Sequence, residues 1–183
     1  MNASVTPEYH KFPISPSKVD YCIFINPEFD RDGGVPQAAD KLQVSCNGTV
    51  NHTSYSGLTE FPVCVSIETK RHGGDQRRAD VQTATWHASQ WTFLESHAGD
   101  GISELPFLPG IIVQGHEWKF VATTRRGNEM STVAVVTSHT LTCIDFLEYF
   151  PVRKHDNACW GFPNYGWPSS AAQMGKGYIL AVV

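Results

Sequence analysis

The chain has 183 residues, 41 % of them hydrophobic and 17 % charged, with a formal net charge of −4. That length supports one domain with its own core, and the balance excludes a disordered composition. The negative charge counts against a protein that coats nucleic acid by neutralising phosphates, because such proteins are basic; a local basic groove stays open.

Residues 1–17 are polar, carry three prolines and read as a loose arm. Residues 19–25, VDYCIFI, are rich in β-branched and aromatic residues and read as a strand. PEFDRDGGVP is a turn-rich acidic loop, QAADKLQV a short helix, and NGTVNHTSYSGLTEF turn and extended chain. Residues 62–68, PVCVSIE, form the clearest strand. After RHGGDQRR, the spacing predicts a helix over 78–97, with Ala79, Gln82, Trp86, Ser89, Gln90 and Phe93 near one stripe. IIVQGHEWKFVATTR and STVAVVTSHT read as a strand pair joined by RGNEM. CIDFLEYF has the look of a helix start, NACWGFPNYGWPSSAAQMGKG of irregular structure, and GYILAVV of a final strand or a sticky end.

This order predicts an α/β or α+β domain, a mixed central sheet flanked by helices. The expected organisation is the arm 1–17, a domain over 18–150, and an irregular extension of that domain over 151–183. Five scattered cysteines without a C-x-x-C pair point to buried free thiols in a reducing compartment. The start has neither a basic region nor an apolar one, and no apolar run is long enough to span a bilayer. The expectation is an intracellular protein, cytoplasmic or nuclear, with no membrane partner and with its sequons at Asn2, Asn47 and Asn51 unused. Oligomeric state stays open.

The stretch VSIETKR carries the chemistry. Side chains alternate along a strand, so Glu68 and Lys70 share a face and Thr69 takes the other. A hydrolytic site for phosphodiesters needs carboxylates for Mg²⁺ or Mn²⁺ and a lysine to orient or deprotonate the water or to stabilise the phosphate. Asp20, at the start of the first hydrophobic strand, is the candidate second acid; the plain alternative is a solvated turn residue. Gln82 can hydrogen-bond water or phosphate from the helix, and Trp86 shares its face. Lys70, Arg71, Arg77 and Arg78, with Arg125 and Arg126, can form a phosphate-contacting rim or merely solvated loops. E-x-K alone is weakly specific, since Glu117-Trp118-Lys119 repeats it. The first copy follows a more hydrophobic, more central strand and precedes a basic turn and a helix.

VSIETKR with its glycine turn, the Q-x-x-x-W helix, LPFLPGIIVQGHEWKF, KVDYCIFI and VNHTSYSGL together resemble the fungal PD-(D/E)XK nuclease-like proteins of the restriction-endonuclease-like superfamily. The resemblance covers roughly residues 18 to 135. It implies Asp20 and Glu68 as metal acids, the Thr69 carbonyl facing the metal, Lys70 as catalytic lysine and Gln82 as the helix glutamine. Arg71, Arg77, Arg78 and Trp86 are the expected substrate contacts. Three departures stand: Val19 rather than proline precedes Asp20, only the proline-containing arm stands where the opening helix would lie, and the tail does not read as a helical ending.

Two function classes follow. One is a Mg²⁺- or Mn²⁺-dependent nuclease with nucleic acid as partner. The other is a repurposed fold that acts on or binds a small molecule, such as one of fungal secondary metabolism, or a degenerate binding protein. For the second class, Trp86, Trp91, Trp118, Phe93 and Phe120 would line an apolar pocket, with His87 and His116 as acid/base groups.

Overall fold

The computed structural model describes residues 4–11, 13, 18–30, 33–127, 129–137, 158–159, 162–163 and 178–182. The strands in chain order are β1 (Tyr21–Ile25), β2 (Val63–Lys70), β3 (Leu108–Gln114), β4 (Glu117–Arg126), β5 (Glu129–Thr137), β6 (Ala158–Cys159), β7 (Phe162–Pro163) and β8 (Tyr178–Val182). The two α-helices are α1 (Gly34–Ser45) and α2 (Gln76–His97). One six-stranded sheet has the order β5-β4-β3-β2-β1-β8, and β6 pairs with β7 separately. The sheet is mixed, as the alternation of strands and helix predicts: β2 and β3 are parallel, and the other neighbours are antiparallel.

A parallel pair needs a crossover of a dozen or more residues, and α2 supplies it between β2 and β3. Its start is set by Gly73 at φ +72° and by Asp75, whose carboxylate accepts the Arg78 N–H at 3.0 Å. The expected stripe along this helix is too narrow. From Thr85 to Leu94 every side chain is buried, because the sheet lies on one side and Val5, Tyr9, Cys46 and Leu105 close the other. A helix buried all round has no water for its polar groups, and some pair within the helix itself. Thr85, Ser89 and Thr92 do so by donating to the carbonyls of Val81, Thr85 and Ala88.

The arm is not loose where it is described. Val5 bridges Thr53, the Thr6 N–H donates to the His52 carbonyl at 2.8 Å, and Tyr9 meets Phe93 edge-on at 5.2 Å. Two apolar side chains, Val5 and Tyr9, reach the core and anchor an otherwise polar segment. The only helical element described before β1 is the single 3-10 turn Pro7–Tyr9. IIVQGHEWKFVATTR is not one strand but the β3–β4 hairpin. Gly115, at φ +61°, makes the turn that places Gln114 opposite Glu117. GYILAVV adds β8 to the edge of β1; the expected helix at CIDFLEYF and most of the irregular tail lie outside the described residues.

Asn51 fastens the loop that feeds β2. Its amide donates to the carbonyls of Leu58 at 2.6 Å and Phe61 at 2.9 Å and accepts the Val63 N–H at 2.9 Å. Asn51→Ala strands those groups and should lower stability by about 2 kcal/mol in a urea titration; an unchanged midpoint would show that the loop holds without it. Buried at 4 % exposure, Asn51 is no glycan acceptor in this fold. No helix among the described residues is long and apolar enough to cross a membrane.

Candidate active site

Glu68, Thr69 and Lys70 close the C-terminal end of β2, which sits between β1 and β3 in the middle of the sheet. Central placement buries Glu68 to 1 % exposure. Burial pushes its carboxyl above the ordinary carboxylate range; the hydrogen bond from Lys70 opposes this, the charge of Asp20 adds to it, and the charges of Lys70 and Arg78 oppose it. Lys70 Nζ donates to Glu68 Oε1 and, at 2.9 Å, to Gln82 Oε1 on α2. The second Glu68 oxygen, Oε2, is buried with no hydrogen-bond partner. An ionised oxygen left so is costly unless a cation completes it.

Asp20 lies at a bend just before β1. Its Oδ2 accepts both the Thr69 N–H at 2.8 Å and the Thr69 hydroxyl at 2.7 Å. The fold therefore brings Asp20, Glu68, Thr69, Lys70 and Gln82 to one end of the sheet. The β3–β4 turn walls that end: the Gly115 N–H donates to the Lys70 carbonyl at 3.1 Å, and Gln114 Nε2 donates to the Gly74 carbonyl at 2.7 Å. Arg71, Arg77 and Arg78 are exposed around the β2–α2 turn.

Residues 1–147 match the sequence model of the PD-(D/E)XK nuclease superfamily. The chain belongs to that superfamily. No curated protein and no solved structure matched it. PD-(D/E)XK nucleases generally use divalent metals, and the mixed sheet with helices agrees with the restriction-endonuclease-like fold. Among the described residues no group of three or more His, Cys, Asp and Glu is placed to hold a metal. Two carboxylates, those of Asp20 and Glu68, stand at this end of the sheet. They suit a hard cation that takes oxygen ligands and keeps several waters, and the orphaned Glu68 Oε2 is a ready ligand.

Several expected contacts fall elsewhere. Trp86 is fully buried against His52, with ring centroids 4.4 Å apart, so it packs the core and does not reach a substrate. One helical turn separates it from Gln82, but α2 plunges into the core between them. Arg125 and Arg126 lie at the far end of β4, a strand of 10 residues and about 30 Å. Arg125 is paired there with Glu95 at 2.7 Å, so these arginines form no rim with Lys70. The second E-x-K is a surface feature: Lys119 pairs with Asp80 at 2.9 Å, and Glu117 is exposed.

Among the described residues, four of the five aromatic side chains expected to line a metabolite pocket are taken up in the core, and Trp118 is half-buried. Trp86, Trp91, Phe93 and Phe120 are buried in packing. A cavity of about 20 Å³ beside Phe93 and His52 has room for a single water. His87 is fully buried between Ser66 Oγ at 2.7 Å and Thr123 Oγ1 at 2.8 Å, which makes it a core strut rather than an acid or base. Gly110 is glycine for this reason, since a Cβ there would stand 2.9 Å from the His87 ring. The sequence shows none of this lattice, because Ser66, His87, Gly110 and Thr123 come from three strands and a helix.

Proposed function

We propose that this PD-(D/E)XK protein hydrolyses phosphodiesters of nucleic acid with Mg²⁺ or Mn²⁺, and that Lys70 and Glu68 are the centre of the reaction. The observation that carries the reading is the Lys70 ammonium shared between Glu68 Oε1 and Gln82 Oε1, beside a buried carboxylate oxygen with no partner. Asp20, Glu68 and the Thr69 carbonyl would hold the metal. When bound, it neutralises charge that develops on the phosphate and makes water a better nucleophile.

The chain's own groups supply the rest. An ammonium has three donors; two of Lys70's are committed to Glu68 and Gln82, which aims the third at a phosphate oxygen or the attacking water. Gln82 fixes the lysine from the helix side, so the donor is already oriented when substrate arrives. Arg71, Arg77 and Arg78 meet flanking phosphates, which gives register on the strand without reading bases. The buried free thiols Cys22 and Cys46 support a reducing compartment for this work.

Calorimetric titration of Mg²⁺ and Mn²⁺ tests the site, together with cleavage of duplex DNA, single-stranded DNA and RNA. Wild type should bind metal and cleave at least one substrate only in its presence. Glu68→Gln keeps the shape and the acceptor for Lys70 but should lose both properties. A wild type that gives no metal heat and cuts nothing would sink the reading.

A further inference from the structure

The ladder between β1 and β2 begins at Tyr21 opposite Ile67. One residue earlier the chain bends, and the Asp20 N–H reaches the Ile67 carbonyl at 3.1 Å. From there the Asp20 side chain takes the place of a strand partner. Its Oδ2 receives the Thr69 N–H and the Thr69 hydroxyl at 2.8 and 2.7 Å. Both donors come from one residue and fall on one oxygen, at distances usual for strong charge-assisted hydrogen bonds. Such a two-point hold stops the carboxylate from rotating and leaves its other oxygen uncommitted by Thr69. Alternation along β2 directs the Thr69 side chain away from the Glu68–Lys70 face, so its natural role in an E-x-K stretch is a backbone one. The hydroxyl contact with Asp20 is an additional, tertiary role.

Resting on the reading of Asp20 and Glu68 as metal carboxylates, we propose that the Thr69 side chain is a positioning residue that clamps Oδ2 of Asp20 and reserves Oδ1 for the divalent cation. Partners that orient a ligating carboxylate typically tune metal affinity by about 10- to 100-fold. The hydroxyl is the part of the clamp that substitution can remove, because the N–H belongs to the backbone.

The test uses the full chain, as wild type, Thr69→Val and Thr69→Ser, titrated with MnCl₂ by calorimetry and melted without metal. Valine keeps the β-branched shape suited to a strand and removes the hydroxyl; serine keeps the hydroxyl. The expected result is Mn²⁺ binding about 10-fold weaker in Thr69→Val, close to wild type in Thr69→Ser, with metal-free melting temperatures within about 3 °C of one another. Wild-type affinity in Thr69→Val overturns the positioning role and leaves the metal site standing. So does equal weakening in both variants, because serine keeps the hydroxyl and the loss would then follow any change of the side chain. No Mn²⁺ heat in the wild type overturns the clamp and the nuclease reading together.

Discussion

Lys70→Ala should reduce phosphodiester cleavage by about 10³-fold and, without metal at neutral pH, lower stability by about 3 kcal/mol. Both effects have one origin. Glu68 is buried to 1 % exposure, and Lys70 is its ion-pair partner. Removing one member of a buried pair leaves a charge with neither water nor counterion. The loss should shrink in acid, because burial already holds the Glu68 carboxyl above the usual range and the lysine is among the influences that bring it down. Once protonated, Glu68 no longer needs a cation. Mn²⁺ should recover part of the stability at neutral pH by binding the folded state alone. Urea titrations at pH 5 and pH 8, with and without MnCl₂, read all three effects. A destabilisation independent of both pH and metal would assign Lys70 to packing through its aliphatic stem.

Acid should unfold the protein through two core histidines. His52 and His87 are buried, which pulls their pKa values down from 6.5 to about 3 and about 4, with His87's charge adding to the effect at His52 and the Pro109 backbone opposing it at His87. The unfolded chain therefore takes up these protons first. Stability is complete above the unfolded value near 6.5 and is lost as the pH falls toward the folded values. Each group contributes up to about 1.4 kcal/mol per pH unit, so the pair costs about 5 kcal/mol between pH 7 and pH 4.5. That is a large part of the stability of an ordinary domain. Glu68 acts in the opposite sense: its raised value means the folded state protonates first, which adds stability as the pH falls through that window. It is one group against two, and the net slope keeps the histidine sign. His52→Phe retains a ring against Trp86 and removes a buried Nε2 that has no partner. It should halve the acid slope of the urea midpoint; an unaltered slope would remove His52 from this account.

Local pattern made several parts of this molecule readable. β2 stands out as a short, largely apolar run, VCVSI, of the kind a strand covered on both faces needs, and α2 by the helical spacing of its apolar residues over about twenty positions. Alternation alone puts Glu68 and Lys70 on one face. The hairpin at Gly115 was also present in the sequence, but the apolar runs on both sides of it read as one strand.

The arm, the stripe on α2 and the arginine rim were misread because each depends on what lies opposite. Val5 and Tyr9 are two apolar residues in a polar segment, and only their docking on the far side of α2 makes the arm part of the core. The same docking buries Trp86 and removes it from the substrate side. Arg125 and Arg71 are both basic, yet the antiparallel return of β4 carries Arg125 to the other end of the sheet.

The amino-acid sequence by itself determined the mixed sheet and the acid–lysine pair, because these follow from periodicity and from spacing within single elements, and its motifs carried the resemblance to the superfamily. Only the tertiary structure decided that Gln82 grips Lys70, that Thr69 holds Asp20, and that His87 is a strut, because each of these contacts joins elements whose relative placement is set by burial of the whole chain.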